Sequence, residues 1–266
     1  MSYILYDGPT QLTTSTPIPI LCLITGIYPK LSSNIKTGPQ AQAYVFNRDV
    51  SPTIARQTNV DHAVCGDCKL RTANSGGCYV LRFKAPNIVY RQWSAGKYKP
   101  TTPEDLAQQL LHHNQSIRWG ADGDPSALPQ ELIEGVMTYQ SHRHPHRRVK
   151  GTAYTHQWRD PRFQWLKRWA MASCDSLSER NEAKKLGWRV FLVVPPHVEV
   201  AGTMKCPADA LRKKEGLKTL TCAECLACGG WEGGDERFKL DVTIRAHGGA
   251  IQFKKMLRML EVIWDK

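Results

Sequence analysis

The chain has 266 residues, with 36 Lys and Arg against 24 Asp and Glu for a formal net charge of +12, and it carries nine cysteines. At 41% hydrophobic and 23% charged residues it is too apolar for a disordered chain, and its cysteines are too sparse for a disulfide mini-scaffold. The positive balance suits a polyanionic partner, nucleic acid first, or serves solubility alone. No run reaches the roughly 18 apolar residues that cross a bilayer, so no membrane partner is expected. An odd cysteine count fits a reducing cytoplasm, where the residues serve as thiols or metal ligands.

In chain order, Ile18–Thr25 and Ala43–Arg48 are β-prone. The first lacks the basic flank and cleavage site of a signal peptide and reads as a buried strand. Between them, the polar loop Ser32–Pro39 (SSNIKTGP) lacks P-loop spacing and reads as a turn, with phosphate contact from its lysine as the sharper alternative. Beyond residue 86, helical and β patterns alternate. Thr102 caps a helix that opens on Pro103 and runs through Leu111. Ser116–Gly120 is a strand ending in the acidic turn Asp122-Gly123-Asp124-Pro125, and Pro129 opens the next helix. Strands follow at Gly151–Trp158, Trp169–Cys174 and Trp188–Val194, with helical residues near Phe163–Arg168 and a helix over Ser178–Leu186 that Ser176 and Glu179 cap. Lys239–Ala246 is the last strand and Ile251–Trp264 an amphipathic helix.

Repeated βα units point to an α/β fold, a complete or partial (β/α) barrel first and a doubly wound sheet as the alternative. The expected organisation is a core over 1–205 with a cysteine loop at 65–78, a cysteine-rich metal-binding segment at 206–230, and a strand and helix over 231–266 packing on the core. Such folds gather function at the C-terminal ends of their strands, where Asp122, Asp124, His156 and Cys174 fall. The first three are catalytic candidates, with a plain DGDP turn as the other reading of the aspartates.

Seven cysteines form two clusters: Cys65-x2-Cys68-x9-Cys78, and Cys206 followed, after fifteen intervening residues, by Cys222-x2-Cys225-x2-Cys228. The second set has four thiols, enough to close a site. Its C-x2-C-x2-C row is the spacing that holds three corners of a [4Fe–4S] cube, with a remote fourth ligand. Zinc is the alternative, although structural zinc sites favour two separated pairs. The first set has three thiols. It either recruits a fourth ligand from Cys174, His62 or Asp67, or leaves a metal position open, as catalytic sites do. Three cysteines holding a cluster with one open iron on an α/β barrel is the arrangement of radical S-adenosylmethionine enzymes. That analogy lacks the CxxxCxxC spacing and a GGE segment. Cys174 has two further readings, a nucleophile with His156 as base or a buried thiol; Cys22 reads as core.

Ser141–Lys150 (SHRHPHRRVK) brings Arg143, Arg147, Arg148 and Lys150 together with His142, His144 and His146, and reads as a solvated loop contacting phosphate. Arg212, Lys213 and Lys214 would be pinned near the second cysteine set, as phosphate contacts or as a balance to its charge. Aromatics beside basic residues, as in Tyr90-Arg91-Gln92-Trp93 and Lys97-Tyr98-Lys99, serve base stacking or, more simply, the core.

The ordered set SSNIKTG, CGDC…GGCY, RWGADGDP, YTHQW, MASCDS, SERNEAKKLGWRVF and CPAD…CAECLACGG resembles uncharacterised phage and prophage proteins of the "gene product 88" type over about residues 23–230. The resemblance implies a phage-associated, cysteine-clustered α/β protein working in a bacterial host's cytoplasm, and it implies no reaction. The expected function is an iron–sulfur protein, radical-SAM-like, acting on nucleic acid or a nucleotide. The alternative is a zinc-stapled nucleic-acid-binding protein without catalysis.

Overall fold

A computed structural model describes residues 1–13, 16–143, 145–209, 211–212, 215–246 and 250–264, with the side chains of all but 250, 252, 262 and 263. Its strands are β1 (Tyr3–Pro9), β2 (Pro19–Thr25), β3 (Ala41–Asn47), β4 (Lys99–Pro100), β5 (Ile117–Asp122), β6 (Gly151–Thr152), β7 (Tyr154–Thr155), β8 (Met171–Cys174), β9 (Val190–Val194), β10 (Thr203–Lys205) and β11 (Asp241–Arg245). The helices are α1 (Pro52–Gln57), α2 (His62–Cys65), α3 (Ala85–Ser94), α4 (Pro103–His112), α5 (Gln130–Met137), α6 (Leu177–Lys185), α7 (Cys222–Cys225) and α8 (Ala250–Trp264). The chain is mixed α/β, with a six-stranded sheet ordered β4-β1-β2-β3-β5-β6 and a five-stranded sheet ordered β10-β11-β9-β8-β7.

β1, β2 and β3 pair antiparallel, and every later pair from β3–β5 onward is parallel. The two sheets meet within residues 151–155, where Ala153 alone separates β6 from β7. The expected strand Gly151–Trp158 is divided there for a definite reason. Ala153 donates its N–H to the Cys228 carbonyl (3.0 Å) and Gly151 donates to the Gly233 carbonyl (2.7 Å), so the cysteine-rich segment takes the pairing at the seam. Gly229 makes this approach feasible, since a Cβ there would stand 2.5 Å from the Gly151 carbonyl oxygen. Segment 206–230 is thus woven into the fold.

β2 and β3 are apolar on both faces, as strands covered on both sides must be. Ile20, Cys22, Ile24, Ala43 and Val45 share a buried cluster with Leu106 and Leu110 of α4 and Ile133 and Val136 of α5. Leu21, Leu23, Tyr44 and Phe46 take Tyr90 and Trp93 of α3 on the other face. These two aromatics, with Tyr98, therefore pack against the core while staying partly exposed. α4 begins as expected, the Thr102 hydroxyl accepting from the Asp105 N–H (3.1 Å). α6 is capped by the Ser176 hydroxyl, which accepts from the Glu179 N–H (3.1 Å). The helical stretch near Phe163–Arg168 is a 3-10 helix over Pro161–Arg168. Among the described residues no helix is long and apolar enough to cross a membrane.

Candidate functional site: two thiol sets on one cavity

The first thiol set is shaped around a buried ion pair. Arg71 donates from Nε (3.1 Å) and Nη2 (2.8 Å) to Asp61 Oδ1 and from Nη1 to the Gly66 carbonyl (3.1 Å), so the loop winds around one guanidinium. Cys65 closes α2, Gly66 turns the chain at φ +52°, and the Cys68 N–H returns to the Cys65 carbonyl (3.2 Å). The Cys78 N–H donates to the Leu70 carbonyl (2.9 Å), bringing the third thiol back after its long excursion.

The second set is assembled from three directions. Cys206 leaves β10 with its N–H on the Thr243 carbonyl of β11 (2.8 Å). Thr221 and Glu224 form a capping box that starts α7, which carries Cys222 and Cys225, and Leu226 ends that turn in the left-handed region. Cys222 and Ala223 donate to the carbonyls of Lys36 and Thr37 (both 3.0 Å). The loop Ser32–Pro39 is therefore the bed of the second cysteine row.

Both sets line one cavity of about 460 Å³, which Cys65, Cys68, Cys78, Cys206, Cys222, Cys225 and Cys228 share. Seven consecutive parallel strands, β5 to β11, also contribute to its wall. The C-terminal helix covers one side with Met256. All nine cysteines are free thiols. Among the described residues, no three His, Cys, Asp or Glu side chains are drawn together as the ligands of a single ion. The two sets are linings of a common chamber rather than a closed cage.

Burial dominates the thiols' electrostatics, because a low-dielectric wall disfavours the thiolate. It pushes Cys78 up to about 11 and Cys206 up to about 12, and raises Cys65, Cys222, Cys225 and Cys228 as well. The neighbouring thiols add to the rise within each set, Cys68 and Cys78 on Cys65, and Cys206, Cys222 and Cys225 on Cys228. Cationic side chains oppose it. Arg82 donates to the Cys65 sulfur (3.1 Å), and Lys36 and Arg118 act on Cys222. A ligand cation would reverse the preference, displacing protons as it bound.

The predicted catalytic residues are at the cavity, but two of them are already engaged. Asp122, 3% exposed, accepts from Arg82 Nε (3.2 Å) and the Gly123 N–H (3.0 Å), and burial raises its carboxyl against that guanidinium. Asp124 accepts from Ser126 N and Oγ (3.0 and 2.7 Å) on one oxygen and from the His156 N–H (2.9 Å) on the other, so it caps and staples the strand ends. His156 rises to about 10: burial works to lower it, and the Cys68 sulfur with the Asp175 and Asp124 carboxylates outweighs that.

Cys174 departs from expectation. Side chains alternate along β8, so Ser173 lines the cavity while Cys174 is fully buried in the main core behind it. It neither completes the first thiol set nor meets His156 as a nucleophile would. Of the other fourth-ligand candidates, neither His62 nor Asp67 lines the chamber. Arg143, Arg147, Arg148 and Lys150 are exposed, Arg147 touching Asn114 Oδ1 (3.2 Å). Arg212 is half-buried and turned onto its own loop at the Lys218 carbonyl (3.3 Å). Lys213, Lys214 and His144 lie outside the described residues.

Sequence reading missed Arg82, Arg118, Tyr79 and Tyr154. Arg118 donates to the Tyr79 hydroxyl (3.2 Å) on the cavity wall, and Tyr154 lines the same cavity, where it works against the burial that raises the Cys228 thiol. Arg118 lies in the quoted RWGADGDP motif, Tyr79 directly follows Cys78 and Tyr154 opens YTHQW, so position in the motifs was the available signal. No family model matches the sequence, and no curated protein or solved structure is significantly similar to it.

Proposed function

We propose that the protein is an iron–sulfur protein whose reaction chamber is the thiol-lined cavity, and that it is a radical-SAM-like enzyme acting on nucleic acid or a nucleotide in a phage host's cytoplasm. The observation that carries the reading is the convergence of both cysteine sets, far apart in sequence, on one chamber. Cys206, Cys222, Cys225 and Cys228 would hold a fully ligated [4Fe–4S] cluster. Cys65, Cys68 and Cys78 would hold a second with one iron free for S-adenosylmethionine. The donor chemistry suits this, since soft thiols select iron–sulfur clusters or zinc, and the hydrogen-bond donors beside the sulfurs are of the kind that tune such groups. When bound, a reduced cluster supplies an electron.

The chain's own residues then have definite tasks. Arg82, fixed by Asp61 (2.9 Å) and Asp122 (3.2 Å), presents an N–H to the Cys65 sulfur. Arg118 and Lys36 offer positive charge to an anionic substrate or to the second set. The wall of parallel strands and the covering helix would shield a bound group on those sides. Strand order supports a partial (β/α) barrel as the finer description of that wall.

The test is anaerobic purification followed by visible absorbance and counts of iron, sulfide and zinc. A brown protein with about eight iron and eight sulfide is expected for two cubane clusters, with a spectrum that changes on adding S-adenosylmethionine. A colourless protein with two zinc ions and no sulfide would sink the reading. That outcome would favour a zinc-stapled nucleic-acid-binding protein, which has one supporting observation. Exposed Arg147, Arg148 and Lys150 flank a surface groove that also holds Tyr28 stacked on His113 (4.4 Å).

A further inference from the structure

Behind His156 lies a second, polar cavity of about 420 Å³, lined by Asp67, Lys69, His156, Arg159, Ser173 and Asp175 among others. Its charged rim is largely spoken for. Glu179 holds Lys69 and Arg159, and Glu182 also holds Arg159 (2.7 Å). Its depth is not. Asp175, 2% exposed, leaves Oδ1 buried without a hydrogen-bond partner, and His156 Nε2 is likewise buried and unpartnered. A buried carboxylate oxygen without a donor is costly, and native folds retain one where a ligand or water completes it.

We propose that this cavity is a subsite for the vicinal diol of a sugar, free or carried on a nucleoside. A hydroxyl both donates and accepts, so one can donate to Asp175 Oδ1 while its neighbour satisfies His156 Nε2 in either tautomer. An ammonium would serve the carboxylate but can only donate, so it would satisfy His156 Nε2 in one tautomer alone. An anion is disfavoured, because Asp67, Asp160, Asp175 and Glu179 outnumber Lys69 and Arg159 around the wall. The space is far larger than a water needs. Ser173 borders both cavities, so a sugar seated here would extend toward the thiol-lined chamber. The inference does not rest on the thiols holding iron.

The purified full chain is titrated with adenosine, guanosine, cytidine and uridine, their 2′-deoxy counterparts, D-ribose and ethanolamine, and binding is read by calorimetry and saturation-transfer NMR. At least one ribose-bearing probe should bind about tenfold or more tightly than its deoxy counterpart, the expected weight of a hydrogen bond to a charged group. Nucleoside binding without D-ribose binding, or the reverse, identifies the source of the diol. Asp175→Asn should weaken binding by about the same factor, and Ser173→Val, which replaces a wall hydroxyl with a bulkier apolar group, should weaken it too. Ribose and deoxyribose probes binding alike, ethanolamine alone binding, no probe binding, or unchanged affinity in Ser173→Val would overturn the proposal. The ribose comparison in the unsubstituted protein decides the question even where a variant fails to fold. Iron and sulfide are counted in the same samples, so failure of the iron–sulfur reading shows separately from loss of sugar binding.

Discussion

Arg82 joins the stability of the fold to the candidate site. It is 5% exposed and reaches Asp61 Oδ2 (2.9 Å), Asp122 Oδ1 (3.2 Å) and the Cys65 sulfur (3.1 Å) at once. Asp61 keeps Arg71 as a second partner, but Asp122 pairs with Arg82 alone among the described residues. Arg82→Gln therefore leaves a buried carboxylate without its cation and should cost about 3–5 kcal/mol. Urea unfolding measures this, and adding Asp122→Asn should restore part of the loss. A loss below about 1 kcal/mol would mean that water reaches Asp122. Glu179 gives the pH counterpart. Burial works to raise its carboxyl, yet Lys69, the Asp175 N–H (2.9 Å) and Arg159 hold it below the ordinary 4.5. A depressed carboxyl contributes stability that is present above its unfolded value and lost as pH falls through the folded one. The unfolding free energy should thus decline below about pH 4.5, and Glu179→Gln should flatten that decline while lowering stability at neutral pH. Equal slopes for both proteins would remove Glu179 from the acid response.

At the scale of elements, local chemistry sets ends and tertiary approach sets pairing, and two substitutions separate these. Thr102→Ala removes one capping acceptor from α4 and should cost about 1 kcal/mol. Gly229→Ala places a Cβ 2.3 Å from the Gly234 nitrogen and 2.5 Å from the Gly151 oxygen, both backbone atoms that cannot swing away. It should cost at least about 1–3 kcal/mol and loosen the seam between the sheets, read as faster amide exchange at Gly151 and Ala153. Exchange unchanged there would show that the seam does not depend on this approach. The same division explains what the residues reveal in advance. Thr102-Pro103, Ser176 with Glu179, and the apolar run 188–194 announce their elements because the information is local. β1 escapes notice because its alternation is short and ends in Gly-Pro, and only pairing with β2 makes it a strand. The break in Gly151–Trp158 is invisible for a stronger reason: it is caused by residues 228–233, about 80 positions away. Cysteine spacing marks the two thiol sets, whereas their common chamber, and the exclusion of Cys174 by one step of strand alternation, belong to the three-dimensional register.

For the molecule as a whole, the thiol chamber is the junction of everything that parallel pairing brings together, and its stability should depend on what fills it. The second set hangs on a four-residue helix and turns, and its buried thiols are protonated without a cation. Metal binding and folding of this region are then linked: a group bound at a thousand times its dissociation constant adds about 4 kcal/mol. Metal-depleted protein should melt lower by about 10 °C, the shift a domain of this size shows for that energy. Alkylation reads the same linkage residue by residue. Cys22 and Cys174, fully buried in the main core, should stay unmodified in both forms. The seven chamber thiols should be protected in the loaded protein and react once it is stripped. Because the two sets are separate, Cys222→Ala and Cys68→Ala should each remove about half of the iron, as for two independent four-iron clusters. Loss of all iron from either variant would instead require one shared centre, and unchanged iron in both would place the metal outside the chamber.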